Sequence, residues 1–440
     1  MQTTTIVSQS TPAGFSAISV VRLSGPKSFF FSKKLSNTSK GFKHKTAQYL
    51  PVIINETKKI DDAVYIPYFA PKSYTGEDVV EISCHGNPHI VLAIINELLS
   101  FGAELAEPGE YTKRAFLNGK IDLLQAESVS LLIESKSLAA AKELSKNIEG
   151  KASKKISSFK REIIKILSFV EFELDVSEDD GFYVNQQKKI SLKLKSLAFQ
   201  FKTAIETFET IQAYTQGAKV VFLGKPNVGK STLVNKLLNN NKILTSATPG
   251  TTRDVISTDI TMSGFQFSFV DTAGIHETKN KIEAAGILKT KEEMKNADII
   301  ISVFSNDTQA VDLAEDRRVI LVYNKDDLES YKGTEKNVFS VSAITGKGTD
   351  LLKNKIVDLA YTLKKNNSHP LITTLRQKDS LTKAKESLAR AIGLLDQKTP
   401  PLELLANELM LSIHQLDITT GKTTTNDVLE SVFSSFCVGK

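Results

Sequence analysis

One glycine-rich stretch constrains the fold of this chain more than any other feature. The residues GKPNVGKS, at 224–231, have the spacing G-x-x-x-x-G-K-S. The apolar run KVVFL precedes them and the amphipathic run TLVNKLL follows, so a strand leads into the loop and a helix leaves it. Such a loop directs backbone N–H groups at phosphates beside a helix N-terminus. The stretch predicts a P-loop, with Lys230 on the β and γ phosphates and Ser231 on Mg²⁺.

The P-loop lies in a region where strand and helix patterns alternate. Runs such as FQFSFVD, DIIISVF, RVILVYN and NVFSVSA indicate buried strands of a parallel sheet. Helical periodicity precedes and follows this region, and the beginning of the chain mixes short strands with one clear helix. We therefore predict a multidomain α/β and α protein: an N-terminal α+β domain over 1–118, a discontinuous helical domain over 119–215 and 364–440, and an inserted Ras-like P-loop domain with a mostly parallel sheet over 216–363.

Two further motifs would complete the phosphate and metal site. PGTTRD offers the Thr252 hydroxyl as a second Mg²⁺ ligand, in a loop that the γ-phosphate would order. DTAG follows an apolar strand, so Asp271 would contact Mg²⁺ through water and the Gly274 N–H would sense the γ-phosphate. The predicted nucleotide contacts of these loops are Asn227, Val228, Gly229, Lys230, Ser231, Thr232, Ser246, Ala247, Thr248, Pro249, Gly250, Thr251, Thr252, Asp271, Thr272, Ala273 and Gly274.

The choice of base would rest on the motif NKDD, which follows the strand RVILVY. The Asp327 carboxylate can accept from N1–H and the 2-amino group of guanine together, a donor pair that adenine lacks. Asn324 would brace this loop, and the Lys325 stem would cover the base. SVSA adds Ser342 and Ala343 as the last base contacts. Because the five motifs occur in order, we predict a GTPase domain.

The residues offer more than one candidate for the catalytic group. Ile275 follows DTAG, where many regulatory GTPases carry a glutamine that orients the attacking water. The Asn227 carboxamide, with carbonyl groups of 246–251, could hold a monovalent cation in place of an arginine finger. Glu283, twelve residues past Asp271, could position water or could be a solvated carboxylate, and the residues alone leave both open.

Composition argues against a disulfide-rich or membrane-spanning protein. The chain has two cysteines, Cys84 and Cys437, which are too few for a disulfide framework. It shows no apolar run of membrane-spanning length and no targeting pattern in its first 25 residues, so we expect a cytoplasmic protein. The net charge of +6 permits a nucleic-acid partner without requiring one. The basic stretch 146–165 fits an RNA interface or a solvated helix face equally well.

A family resemblance covers essentially the whole chain. SYTGEDVVEISCHGNP, EPGEYTKRAFLNGKIDLLQAESV, the inserted GTPase domain and FCVGK together resemble the MnmE family of tRNA-modification GTPases, also called TrmE. The resemblance implies a homodimer whose N-terminal domains bind a 5-formyl-tetrahydrofolate-type cofactor, and GTPase domains that pair in a potassium-dependent way. It also implies a flavoprotein partner, MnmG, in a heterotetramer. Together they would add a carboxymethylaminomethyl or aminomethyl group at C5 of the wobble uridine of certain tRNAs.

The resemblance also implies roles for single residues. Glu283 falls at the family's catalytic glutamate, and Cys437 would approach the one-carbon unit, either as a nucleophile or as a packing residue. The implied potassium ligands are Asn227, Ser246, Thr248 and Thr251. The implied folate contacts are Arg22, Glu81, Lys120 and Lys440.

The chain departs from the family pattern in places. TPAGFSA, at 11–17, replaces a glycine-rich loop and should be stiffer, and His276 stands where an arginine is common. His85 beside Cys84 lacks a third ligand, so we expect a loop histidine and no metal. The alternative function is an RNA- or ribosome-associated GTPase switch without modification chemistry, which would have no reason to bind folate.

Overall fold

The computed structural model describes residues 4–135, 137–176, 184–239, 257–262, 265–271, 293–308, 310, 316, 318–333, 338–363 and 371–439. The chain divides into two compact units. The first comprises 1–130, 147–201 and 374–440, and the second comprises 131–146 and 202–373. The domain boundaries predicted at 118, 215 and 363 remain predictions.

The first unit begins with a six-stranded sheet of order β3-β4-β5-β2-β1-β6, in which only β1 and β6 pair in parallel. Its strands are β1 (Ile6–Gln9), β2 (Ile18–Ser24), β3 (Gln48–Ile54), β4 (Lys58–Tyr68), β5 (Val79–His85) and β6 (Glu104–Leu105). Helices α1 (Ser28–Ser36) and α2 (Pro88–Ser100) pack Phe31, Leu35, Ile94 and Leu98 against the apolar side chains of the sheet. Asn87 caps α2 by accepting a hydrogen bond from the His89 N–H.

A run of helices follows the N-terminal sheet. They are α3 (Glu110–Leu117), α4 (Leu123–Glu134), α5 (Leu138–Ile148), α6 (Lys151–Val176) and α7 (Val184–Gln216). In α6 the residues Ile156, Phe159, Ile163 and Val170 recur at helical spacing and are buried, because one face of the helix packs into the core.

The second unit contains the P-loop sheet, of order β12-β11-β10-β7-β9-β8. All neighbours pair in parallel except β8, which is antiparallel to β9. Its elements are β7 (Ala218–Leu223), α8 (Lys230–Asn239), β8 (Ser257–Met262), β9 (Phe265–Asp271), β10 (Ile299–Phe304), β11 (Val319–Tyr323), β12 (Val338–Ser340) and α9 (Thr349–Leu363). The central strands β7 and β10 are almost entirely buried, as expected when helices cover both faces of a parallel sheet.

Three helices end the chain and belong to the first unit: α10 (Leu375–Leu395), α11 (Leu402–Thr420) and α12 (Asn426–Ser434). A buried carboxylate joins them to the earlier helices. Glu127 of α4 accepts two hydrogen bonds of 2.8 Å from Arg376 and one of 3.2 Å from Thr374. Arg376 also donates to the Ile418 and Thr419 carbonyls at the end of α11. Helices from both ends of the chain therefore form one helical body, which confirms the predicted fold class.

No helix in the described ranges is long and apolar enough to cross a lipid bilayer.

Candidate nucleotide site and N-terminal polar cluster

The P-loop joins the end of β7 to the start of α8 at Lys230. Gly224 has a φ of +147°, and a Cβ there would lie 2.2 Å from the Val303 carbonyl oxygen of β10. Gly229 has a φ of +89°, and a Cβ there would lie 2.4 Å from Nδ2 of Asn324. Both positions need glycine, because a side chain would push the loop away from the neighbouring strands. Asn227 adopts a left-handed conformation as well, with a φ of +67°.

Lys230 folds back over this loop. Its side chain is buried, and Nζ donates to the carbonyl oxygens of Gly224 at 2.8 Å and Lys225 at 3.0 Å. Ser231 follows in the first turn of α8 and is exposed. An ammonium, a hydroxyl and the N–H groups of a helix start therefore converge at one place, which suits a polyphosphate.

Asn324 connects the P-loop to the two motifs that would bind the base. Its Nδ2 donates to the Val228 carbonyl at 2.8 Å, and its Oδ1 accepts from the Ala343 N–H at 3.0 Å. Its own N–H donates to the Phe304 carbonyl at the end of β10. Because the residue is buried and both ends of its amide are hydrogen-bonded, it fixes the relative positions of three loops.

A further residue of this loop, Asp326, was not predicted from its motif. Its carboxylate accepts from Lys347 Nζ at 2.8 Å and from the Ser340 hydroxyl at 2.6 Å. The hydrogen bond from Lys347, and to a smaller extent that from Ser340, lowers the pKa of Asp326. The next residue, Asp327, is exposed and so remains available to a ligand. Asp326, Ser340 and Lys347 share no sequence pattern, so only the fold could bring them together.

Among the residues predicted after the P-loop, Asp271 is described only as the last residue of β9, where it pairs with Phe222 of β7, directly before the P-loop. The following predicted residues lie outside the described ones: Ser246, Ala247, Thr248, Pro249, Gly250, Thr251, Thr252, Thr272, Ala273, Gly274, Ile275, His276, Glu283 and Lys440. Their roles stay predictions.

In the N-terminal sheet, Arg22 of β2 and Glu81 of β5 are direct cross-strand partners. Arg22 donates to Glu81 Oε1 from Nε at 3.0 Å and from Nη2 at 2.8 Å. The Tyr68 hydroxyl donates to the other carboxylate oxygen, Oε2, at 3.3 Å. The two charged side chains are 17% and 24% exposed, so the pair is held by the sheet and still open to solvent.

Tyr111 supports Arg22 from beneath. Its hydroxyl donates to the Arg22 carbonyl at 2.7 Å, and its ring centroid lies 5.5 Å from the guanidinium carbon. Burial raises the pKa of Tyr111, so its hydroxyl stays protonated as a donor. Tyr68 and Tyr111 were not predicted: Tyr111 lies in the quoted stretch EPGEYTKRAFLNGK, but no pattern there shows that its hydroxyl reaches the Arg22 carbonyl.

The described end of the chain lies on this cluster. The Gly439 carbonyl accepts from Arg22 Nη1 at 3.2 Å and from the Ser10 hydroxyl at 3.3 Å. Val438 forms an antiparallel bridge with Pro108. Gly439 has a φ of +94°, and a Cβ there would lie 2.4 Å from the Gln9 carbonyl oxygen. A glycine is therefore required for this end of the chain to reach β1.

The other predicted members of the cluster are less closely connected. Lys120 is exposed and donates to the Pro71 carbonyl at 2.9 Å, and no hydrogen bond among the described residues joins it to Arg22 or Glu81. The Cys437 side chain is exposed. Cys84 is buried in the sheet, and burial raises its pKa to about 11, so its thiol stays protonated at neutral pH.

His85 is the last residue of β5 and not the loop residue that was predicted. Its Nδ1 lies 2.6 Å from Asp61 Oδ1. Burial would raise the pKa of Asp61, but hydrogen bonds from His85 and Asp62 outweigh it and the pKa is lowered. Among the described residues, no three acidic, histidine or cysteine side chains are grouped so that they could hold a metal ion.

The P-loop beside a mostly parallel sheet, together with the ordered motifs of the base loop, defines the class of this protein as a P-loop GTPase. Two sequence models match the chain: "GTP-binding protein TrmE N-terminus" over residues 5–120 and "MnmE helical domain" over 123–437. The tRNA modification GTPase MnmE of Thermotoga maritima is 37% identical over 99% of this chain and 100% of that protein. The Clostridioides difficile protein of the same name is 35% identical over 99% of both chains. The chain belongs to the MnmE family of tRNA modification GTPases.

Proposed function

We propose that this chain hydrolyses GTP in support of a tRNA modification at the wobble position. With the flavoprotein MnmG it would add a carboxymethylaminomethyl or aminomethyl group at C5 of the wobble uridine. The observation that carries the proposal is 37% identity, over 99% of the chain, to a tRNA modification GTPase. A similarity that runs through all domains supports a shared activity, whereas one limited to the P-loop domain would support only GTP hydrolysis.

The nucleotide site gives each described residue a task. Lys230 would release the Gly224 and Lys225 carbonyls and take the β and γ phosphates, since an ammonium can exchange neutral acceptors for anionic ones. Asn324 would keep the base loop beside the P-loop, and Asp327 would accept from the guanine edge. Selection of GTP would then rest on a preorganised loop.

The metal donors fit this arrangement. The exposed Ser231 hydroxyl and the end of β9 at Asp271 border the P-loop, and we propose Ser231 and Thr252 as the direct ligands of Mg²⁺. When bound, Mg²⁺ neutralises charge on the β and γ phosphates. The protein's own part is to present a hydroxyl at the start of α8, where helix N–H groups already favour anions.

A monovalent cation would take the place of an arginine finger. Asn227 is exposed and has a positive φ, so it is accessible at the P-loop surface. We propose that it binds K⁺ together with Ser246, Thr248 and Thr251, and that Glu283 positions the attacking water. When bound, K⁺ supplies positive charge where negative charge develops between the phosphates.

The N-terminal cluster would bind a reduced formyl-folate, the source of a one-carbon unit. Arg22, Lys120 and Lys440 would face the anionic glutamate tail, and Glu81 would accept from the amino edge of the pterin. The fit is supported by the partly exposed Arg22–Glu81 pair and by the hydrogen bond from Arg22 to the Gly439 carbonyl, two residues after the exposed Cys437.

The remaining parts of the proposal follow from family membership. They are a homodimer joined through the N-terminal domains, a heterotetramer with MnmG, a tRNA substrate and a cytoplasmic location. The domain boundaries at 118, 215 and 363 belong to the same proposal.

Folate binding separates this function from an RNA- or ribosome-associated switch. In equilibrium dialysis with 5-formyl-tetrahydrofolate, we expect saturable binding by the wild type and a loss of at least about tenfold in affinity for Arg22→Gln. Lys58→Gln, an exposed lysine of the same domain that lies outside the cluster, is the matched control and should bind normally. Absence of binding by the wild type would favour the switch.

A further inference from the structure

The first half of α6 carries a large share of the positive charge of the chain. Residues 146–165 contain seven lysines and arginines and two glutamates, a net charge of +5, and the whole chain has +6. Two of these cations are paired with carboxylates: Lys146 with Glu143 inside α5, and Lys160, whose Nζ lies 2.6 Å from both carboxylate oxygens of Asp417 on α11. The others need a separate explanation.

Helical periodicity places four of the remaining cations on one face of α6. Lys151, Lys154, Arg161 and Lys165 recur every three, four or seven residues and are all exposed. At 1.5 Å per residue, the row is about 21 Å long. No carboxylate among the described residues forms an ion pair with any of the four. The row is therefore solvated and available to a partner.

Helix α7 packs beside α6 and adds further exposed lysines to this surface. Lys155 of α6 donates to Gln200 of α7 at 2.8 Å, and the rings of Phe159 and Phe201 pack 4.9 Å apart. Lys189 and Lys193 precede Gln200 by eleven and seven residues, whole numbers of turns, so they lie on its side of α7 and are exposed. We call the following seven exposed cations the basic surface: Lys151, Lys154, Lys155, Arg161, Lys165, Lys189 and Lys193.

Apart from Lys155, whose Nζ lies 4.8 Å from the centre of the Phe159 ring, these cations make no contact that stabilises α6 among the described residues. Lys151, Lys154 and Lys155 stand in its first five residues, where the helix dipole disfavours cations. Lys151 with Lys155, and Arg161 with Lys165, are like-charged pairs at i, i+4, which repel. Glu162 is the one exposed carboxylate among the cations from Lys151 to Lys165, so positive charges outnumber negative ones on this face. An anionic partner would explain that excess.

We propose that the basic surface binds the phosphate backbone of tRNA, an inference that rests on the proposed function. Phosphates repeated along a strand suit a row of cations on successive helical turns. A lipid surface fits less well, because a membrane-bound amphipathic helix must bury a free apolar face in the lipid. The apolar face of α6, with Ile156, Phe159 and Ile163, is already buried within the protein.

Neutralising part of the surface tests the proposal. In the full chain, Lys154→Gln, Arg161→Gln and Lys165→Gln are combined, and the Kd for total bacterial tRNA is measured over a series of salt concentrations. We expect affinity at low salt to fall at least about tenfold. The slope of log K against log salt should become shallower by about 2, since each lost phosphate contact removes about 0.7–0.9.

The matched control combines Lys40→Gln, Lys43→Gln and Lys58→Gln, three exposed lysines of the N-terminal domain, for the same change in net charge. This triple variant should keep wild-type affinity and slope, and thermal unfolding should show that both variants are folded. Equal losses in the two variants, or an unchanged slope in the first, would overturn the proposal. Loss of binding to vesicles of equal parts phosphatidylcholine and phosphatidylglycerol, with tRNA binding intact, would assign the surface to lipid.

Failure of this inference can be told apart from failure of the proposed function. If the α6 variant binds tRNA normally and the wobble uridine is still modified in cells, only the basic surface is wrongly assigned. If the wild type itself neither binds nor modifies tRNA, both fail.

Discussion

At the scale of single residues, neighbouring side chains of the base loop have opposite exposures. Asn324 and Asp326 are turned to protein partners, namely the Val228 carbonyl and Lys347, while Asp327 is exposed. Two adjacent carboxylates can thus have different tasks, one that stabilises the loop and one that is left for a ligand.

Replacement of Asp327 by Asn tests the base contact. An amide in place of the carboxylate removes one acceptor and presents a donor, so Asp327→Asn should lose about 2–4 kcal/mol of GTP affinity and shift its preference toward xanthine nucleotides. Titration with GTP and XTP measures both effects. Asp350→Asn, at an exposed carboxylate of α9, is a control that should leave them unchanged. Unaltered GTP affinity in Asp327→Asn would show that NKDD does not read the base.

The lowered pKa of Asp326 predicts that its contribution to the free energy of unfolding depends on pH. Because its pKa is lowered in the folded state, its hydrogen bonds contribute fully above the ordinary value of about 3.9 and are lost as the pH falls through the lower folded value. Asp326→Asn should reduce the free energy of unfolding by about 1 kcal/mol at neutral pH, since Lys347 is largely exposed. This penalty should shrink below about pH 4. Urea titrations across that range measure it, and a penalty that grows in acid would contradict the assignment.

The residues that the sequence predicted and those that it missed differ in one physical respect. Lys230, Asn324 and Asp327 belong to short motifs whose spacing is set by local chemistry, and Asn324 does join the base loop to the P-loop through the Val228 carbonyl. Asp326 and Tyr111 act through partners far away in sequence, Lys347 and the Arg22 carbonyl. No pattern within one segment could have predicted those pairs.

At the scale of elements, the last residues of the chain form an addition to the N-terminal sheet. The Val438–Pro108 bridge, the Gly439 carbonyl on Arg22 and the close approach of Gly439 to Gln9 fix this segment on β1 and β2. The family resemblance predicted that the tail would take part in the folate site. It could not predict these contacts, because they depend on the return of α12 to the first sheet.

Removal of Val438 to Lys440 tests the role of this segment. The deletion takes the Gly439 carbonyl from Arg22 and removes the Lys440 charge, which would contribute about 1.5–3 kcal/mol, so folate binding and tRNA modification should both be lost. GTP hydrolysis should be largely retained. Val438→Ala, at a largely exposed side chain, is the control and should bind folate normally. Full folate binding by the shortened chain would remove the tail from the site.

Cys437 can be tested at the same segment. Cys437→Ser keeps the shape of the side chain but not the acidity of a thiol. A nucleophilic role predicts normal folate affinity with lost modification, measured by dialysis and by nucleoside analysis. Full modification by the serine variant would make Cys437 a packing residue.

At the scale of the whole molecule, the chain combines a GTPase unit with a unit that holds the N-terminal sheet and both ends of the helical region. The sequence predicted this order from changes of periodicity, and the fold class is confirmed. The exact domain boundaries and the loops that would hold K⁺ stay predictions. Their test must use the intact chain, because the family resemblance implies that GTPase domains from two copies pair.

Potassium dependence is the prediction at this scale. GTP turnover should rise steeply when Na⁺ is replaced by K⁺ at equal ionic strength. A fixed positive charge in a water-poor site stabilises the transition state and raises the rate by about a hundredfold or more. Asn227→Ala should flatten this response, whereas Lys225→Ala, at an exposed neighbour in the same loop, should preserve it. Equal rates of the wild type in the two salts would exclude the cation from the mechanism.

The most direct measurement of the proposed function is nucleoside mass spectrometry of tRNA from the source organism after deletion of the gene for this chain. We predict loss of the carboxymethylaminomethyl or aminomethyl group at the wobble uridine. The wild-type gene should restore the modified nucleoside, and Lys230→Ala should fail to restore it because the phosphates of GTP lose their ammonium partner. Unchanged wobble uridines in the deletion strain would contradict the assignment of this chain to tRNA modification.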